Sequence, residues 1–188
     1  MPLLRPAVGL LLLAALAACT EAADKAPAAP VPAPPTASAA TPAALRTAAY
    51  AGEYNWGDTK REQAGGTLLV YPESDSTVRF YLDISNGPPA FHVGQLYQRA
   101  VVRQGVAHCA FREEYDSLGC RLQLTFAPPT VVIKTEGNHG ECGFGQGVWA
   151  DETYRRRRAA VPQHFDDGGG RKVRFEDTSP EQYKSAGL

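Results

Sequence analysis

The side chains with the most chemistry in this chain are its four cysteines. Cys109, Cys120 and Cys142 fall within one β-patterned region, whereas Cys19 closes an apolar N-terminal run. No Cys-x-x-Cys spacing occurs, and His108 beside Cys109 points to the opposite face of a strand, so no metal site is expected. Disulfide chemistry remains. Strand parity puts Cys120 on the face of Phe126 and Cys142 on the face of Phe144, so Cys120 and Cys142 can both look into a core. A hairpin turning around residues 114–116 would instead set Cys109 nearly opposite Cys120. Either pairing leaves one thiol over in a disulfide-permissive compartment.

No recognised catalytic motif occurs in the sequence; a carboxylate pair for glycoside chemistry, whose members can lie far apart, is the alternative left open. His92, His108, His139 and His164 are scattered, with no His-x-x-x-His or His-Glu-x-x-His spacing. No Gly-x-Ser-x-Gly elbow and no phosphate-cradling Gly-x-x-x-x-Gly-Lys loop occurs. Glu113, Glu114 and Asp116 read as a solvated hairpin tip. The expectation is a non-enzymatic chain without cofactor. Segment 138–147 holds four glycines around Cys142, which reads as a rigid corner of the fold, with a binding loop as the rival. Arg155, Arg156, Arg157 and Arg158 form a basic run with three readings: a solvated end of the fold, a contact to anionic lipid phosphates, or a docking site for an acidic partner. With 19 basic and 20 acidic residues, no global field argues for nucleic acid.

The chemistry of Cys19 is set by what precedes it. Leu16-Ala17-Ala18-Cys19 ends the apolar run and resembles a bacterial lipobox. Residues 1–18, with Arg5 as the only charged side chain, then read as a signal peptide, shorter than the roughly 20 apolar residues of a membrane-spanning helix. The resemblance implies that Cys19 carries a diacylglycerol thioether and an acylated amine, and two or more chains give stable anchoring. Thr20 after it, rather than Asp, favours the outer membrane by similarity to Gram-negative lipoproteins. Residues 19–49 would be the lipidated cysteine and a linker; in 22–44, 17 of 23 residues are Ala or Pro, a composition that cannot offset ordering entropy. The expected address is the cell envelope, tethered by lipid.

The elements that must position these residues are strands. In 77–85, Val78, Phe80, Leu82 and Ile84 share one face while Arg79, Tyr81 and Asp83 share the other; 120–126 repeats the pattern. Further strands are expected at 52–56, 66–71, 91–102, 105–113, 130–134 and 144–149. The chain therefore reads as all-β: about eight short antiparallel strands in a meander over 50–154, closed or nearly closed into a small barrel, with a β-sandwich as the alternative. Residues 155–188 read as a basic, mostly disordered tail with a brief helical turn near 180–183.

Several of these motifs occur together in one family. Gly52-Glu53-Tyr54, Gly66-Thr67-Leu68-Leu69-Val70, Cys120-Arg121-Leu122-Gln123-Leu124-Thr125-Phe126, Cys142-Gly143-Phe144-Gly145 and the closing Tyr154 resemble a family of bacterial secreted domains with a Cys-x-Leu-x-Phe strand and a Cys-Gly-Phe-Gly segment. The resemblance spans about residues 50–154 and implies a small β domain with a Cys120–Cys142 disulfide. Some relatives are lysozyme-inhibitor-like, and inhibitors of C-type lysozyme are small periplasmic or lipid-anchored β barrels; Ala51-Gly52-Glu53-Tyr54 echoes part of their Ser-Gly-x-x-Tyr loop. The expected function is a lipid-anchored envelope protein whose β domain binds a macromolecular partner, an envelope protein or an anionic lipid, with a lysozyme-inhibitor-like role as its most concrete form. The alternative is a periplasmic barrel carrying a small apolar or glycan ligand.

Overall fold

Eight strands follow one another around a closed antiparallel barrel in the computed structural model, which describes residues 44–57, 63–112 and 118–186. The signal peptide, Cys19, the linker as far as residue 43 and the carboxylates Glu113, Glu114 and Asp116 lie outside the described residues. The strands are β1 (Gly52–Gly57), β2 (Gly65–Pro72), β3 (Thr77–Ser85), β4 (Val93–Arg103), β5 (Val106–Phe111), β6 (Cys120–Ala127), β7 (Thr130–Thr135) and β8 (Thr153–Arg158). Each pairs with its neighbours in sequence, and β8 returns to β1 to close the wall, so a barrel forms and the sandwich does not.

Period-two alternation builds the interior. Val78, Phe80, Leu82 and Ile84 of β3 and Cys120, Leu122, Leu124 and Phe126 of β6 all point inward and are buried, joined there by Tyr54, Leu68, Val131, Ile133 and Tyr154. The outward positions carry Arg79, Asp83, Arg99, Arg121 and Lys134. This polarity, apolar inside and charged outside, is the reverse of a lipid-embedded barrel. Among the described residues no helix is long and apolar enough to cross a membrane.

The eighth strand is not where the sequence pattern put it. Residues 144–149 are irregular, and β8 lies at Thr153–Arg158 instead. Gly143, Gly145 and Gly147 all sit at positive φ (70°, 84° and 74°), which breaks the extended path and turns Phe144 and Val148 into the barrel mouth.

The expected disordered tail is also corrected. Arg155, Arg156, Arg157 and Arg158 belong to β8, and beyond them β9 (His164–Asp166) and β10 (Lys172–Arg174) form a hairpin, followed by α1 (Pro180–Ser185), the expected helical turn. These elements strap the outer face of β2, β3 and β4. Phe165, Val173 and Phe175 are buried against Tyr81 and Tyr97, with Phe165 stacked on Tyr81 at 3.9 Å and Phe175 on Tyr71 at 5.4 Å. Polar contacts fix the strap. Tyr97 Oη donates to the Thr178 carbonyl at 2.7 Å, the Gly168 amide donates to Gln95 Oε1 at 2.8 Å, and Arg79 Nη1 donates to the Phe175 carbonyl. Ser179 and Gln182 form a capping box at the start of α1.

The two barrel ends differ. At one end a 3₁₀ turn, Arg46–Tyr50, leads into β1; Tyr50 stacks on Phe126 at 4.5 Å and the Arg46 amide donates to Asp75 Oδ1 at 2.9 Å. The opposite end carries the β1–β2, β3–β4, β5–β6 and β7–β8 connections. The β7–β8 connection folds into the mouth as a plug: Cys142, Phe144, Val148 and Ala150 are buried, and a Cys120–Cys142 disulfide ties the plug to β6.

Candidate functional site

The residue positions singled out by the sequence go to different places. Cys120 and Cys142 form the disulfide and serve the plug. Cys109 is the remaining thiol of the barrel. It lies buried on β5 opposite Leu122, while Cys120 faces Phe111, so the Cys109–Cys120 alternative falls two residues out of register. Burial pushes the Cys109 thiol up to about 12, leaving essentially no thiolate at neutral pH.

The four arginines do not form one patch. Arg156 turns toward the barrel wall, where Nε donates to Tyr54 Oη at 2.9 Å, Nη2 donates to the Ala49 carbonyl at 2.6 Å, and the guanidinium lies 5.0 Å from the Tyr54 ring centroid. Arg155, Arg157 and Arg158 are exposed, and Arg158 Nε stands 3.8 Å from Glu53 Oε2. Ala51-Gly52-Glu53-Tyr54, the partial echo of an inhibitory loop, runs into β1 with Ala51 and Tyr54 buried, so it presents no loop to a partner.

A cleft at the loop end of the barrel, about 790 Å³ in volume, takes residues from the glycine-rich segment 138–147, for which a binding loop is the rival reading. It is lined by Trp56 of β1, Ile84 and Asn86 at the end of β3, and Asn138, His139, Trp149 and Asp151 of the β7–β8 connection. Both tryptophans of the chain line it. Trp56 rests edge-on against Tyr154, with centroids 6.5 Å apart, and lies across Gly66, its register partner on β2. A Cβ at Gly66 would come 2.6 Å from the indole nitrogen, so only glycine there admits the ring. Trp149 is exposed and packs edge-on against His139 at 6.0 Å.

The polar groups of the cleft are held from behind. Asp151 Oδ1 accepts from the Thr135 amide at 2.9 Å and from Thr135 Oγ1 at 2.5 Å, and His139 Nδ1 lies 3.5 Å from the same oxygen. Asn138 caps the short 3₁₀ turn His139–Cys142 by accepting from the Gly140 amide at 3.0 Å. Asn86 is held less firmly: Nδ2 donates to the Gly147 carbonyl at 3.4 Å, and Oδ1 is buried without a hydrogen-bond partner. His92 Nδ1 donates to the Gln146 carbonyl at 2.6 Å, which fixes the proton on that nitrogen and links the β3–β4 connection to the plug. Aromatic walls with a few convergent amides and carboxylates are the kind of lining that small-molecule sites carry. Among the described residues, no group of three or more His, Cys, Asp or Glu side chains converges as metal ligands would.

The four most exposed of the large apolar side chains lie at the same end, with Leu45, Val101 and Val161 elsewhere. Phe91 (53 % exposed), Val93 (43 %), Leu118 (66 %) and Trp149 (58 %) all lie on or beside its connections. Phe91 is held with φ at 51°, a left-handed backbone that a bulky residue adopts only under constraint. No family model matches the chain, and no curated protein and no solved structure matches it.

Proposed function

We propose that this chain is a lipid-anchored protein of the cell envelope whose barrel is a non-enzymatic binding module, presenting its loop end to a macromolecular partner. The observation that carries this reading is the position of Phe91, Val93, Leu118 and Trp149. These four, the most exposed of the large apolar residues, lie at the end opposite to where the chain enters, and large exposed apolar residues gathered at one end mark interaction surfaces. An anchor at Cys19 would join the barrel at its entry end, which leaves the loop end free for a partner. The interior supports the reading from another side: among the described residues, buried side chains from Tyr54 to Tyr154 occupy the barrel, which favours binding at its surface over a carried ligand.

A lysozyme-inhibitor-like role remains the most concrete form of the proposal, acting through the β3–β4 and β7–β8 connections rather than through residues 51–54. The purified full chain in molar excess over C-type, G-type and invertebrate-type lysozymes tests it. Inhibition that disappears in a Phe91→Ser, Trp149→Ser double variant supports the role, and unchanged lysis of cell walls by all three enzymes rules it out. In-cell crosslinking then tests the wider reading. A crosslinked partner obtained with the native chain and lost with the same double variant is the expected result, and capture unaffected by the double substitution overturns the loop end as the binding face.

A further inference from the structure

We infer that the cleft at the loop end is a binding site for a short, neutral glycan. Its lining selects that class by chemistry. Two indoles, Trp56 and Trp149, supply π faces whose negative quadrupole attracts the polarised C–H bonds of a sugar ring. The same lining carries planar hydrogen-bonding groups whose other ends are already held, so that Asn86 Oδ1, Asn138 Nδ2 and Asp151 Oδ2 are the atoms left to pair with ligand hydroxyls.

Other ligand classes fit less well. Asp151 and Glu152 put negative charge on the rim, which repels phosphate, uronate or lipid headgroups. A purely apolar ligand would cover the amides and carboxylates without bonding to them, and burying polar groups unpaired is costly. A polyhydroxylated neutral ring with apolar faces satisfies both halves of the lining. The volume of about 790 Å³ lies within the range of small-molecule sites.

The site is built in advance of its ligand. The disulfide at Cys142 and the buried Phe144 and Val148 hold the β7–β8 connection in place, and Thr135 fixes Asp151 through two hydrogen bonds. Rigid lining reduces the ordering cost of binding. Asn86 is the adjustable element: one long bond holds its amide and its Oδ1 lacks a partner, so a ligand hydroxyl or N–H replaces little when it pairs there.

This inference rests on the reading of the loop end as the binding face, and it adds the chemistry of what is bound. Intrinsic fluorescence tests it directly, because the only two tryptophans of the full chain line the cleft. Tri-N-acetylchitotriose and cellotriose serve as neutral probes that separate acetylated from unacetylated glycans, and trigalacturonate serves as the anionic control. The expected result is a saturable emission change with at least one neutral trimer and none with trigalacturonate. Trp149→Ala, which removes an exposed ring and leaves Trp56 as reporter, should weaken binding roughly tenfold or more with an unchanged melting temperature. Asn86→Ala should weaken it as well. Lack of a saturable change with both neutral trimers at millimolar concentration overturns the inference, as does trigalacturonate binding at least as tightly, or equal affinity in Trp149→Ala. A partner crosslinked through Phe91 in the absence of any glycan response would leave the loop end as the binding face and remove only its glycan.

Discussion

Gly94 and Phe144 occupy a space that admits one side chain: a Cβ on Gly94 would lie 2.7 Å from both the Cβ and the carbonyl oxygen of Phe144. The plug of the β7–β8 connection therefore seats on β4 only because β4 is bare at that point. Gly94→Ala should displace the plug, lowering stability by about 1–3 kcal/mol as an overpacked site does. Phe144→Ala acts from the other side by leaving a cavity, with a loss of about 3–5 kcal/mol. Urea denaturation of both variants checks the pair, and Gly94→Ala should also perturb tryptophan emission from the neighbouring cleft.

Reducing the Cys120–Cys142 disulfide should loosen the same plug. The bridge spans a sequence separation of 22, for which the chain-entropy model gives about 3 kcal/mol. A Cys120→Ala, Cys142→Ala double variant is expected to keep the barrel, since Leu122, Leu124 and Ile133 remain, while its denaturation midpoint falls by a corresponding amount.

The strap over β2–β4 should loosen in acid. Glu73 accepts from Arg79 Nε at 2.6 Å and from Arg99 Nη2 at 2.8 Å. Burial alone would raise its carboxyl, but the hydrogen bonds and charges of Arg99 and Arg79 outweigh that and hold it below its ordinary value of 4.5. A depressed carboxylate contributes its stability in full above the unfolded value and loses it as pH falls through the folded one. Because Arg79 also holds the Phe175 carbonyl and Arg99 also pairs with Glu181, protonation of Glu73 weakens the anchorage of β10 and α1. Hydrogen exchange in residues 163–185 should rise below the ordinary carboxylate range. Glu73→Gln should lose on the order of 1–3 kcal/mol at neutral pH and show a flatter acid limb.

Arg156 should behave unlike its neighbours. Arg156→Ala removes bonds to Tyr54 and Ala49 at the barrel seam and is expected to lose on the order of 1–3 kcal/mol. Arg155→Ala and Arg157→Ala touch exposed side chains and should stay within about 0.5 kcal/mol of the native protein by thermal melting.

Cys109 offers a probe of global opening. A thiol with its pKa pushed up to about 12 should resist iodoacetamide in the native state and react only when the barrel opens. Alkylation rates that track the denaturant dependence of unfolding are expected; rapid labelling at neutral pH without denaturant would show that β5 breathes locally.

The barrel was legible because its signal is local. Val78, Phe80, Leu82 and Ile84 alternate without interruption, and short turns force successive strands to pair, so the meander follows from the order of the segments. The strap was not legible, because its partner surface is non-local: Phe165 and Phe175 look isolated along the chain and find Tyr81 and Tyr97 more than 65 residues away by sequence number. The outward aromatics at 71, 81 and 97 were the available sign, since an antiparallel sheet facing water on one side seldom carries three. The cleft was hidden for a related reason. Trp56 and Trp149 come from opposite ends of the barrel sequence, and only the return of β8 to β1 brings them to one place. The count of two tryptophans was visible, but their adjacency required the closure.

That closure is narrow. The β1–β8 seam has three register pairs and a bulge between Glu53 and Tyr54, and Arg156 spans it by holding Ala49 in the lead-in and Tyr54 in β1 at once. Any pull applied to the chain ahead of residue 46 therefore reaches β8 as well as β1. Mechanically, Arg156 is a rivet where the chain enters the barrel: it spreads load from the preceding segment over both edges of the seam, so that tension cannot simply peel the first strand from the wall.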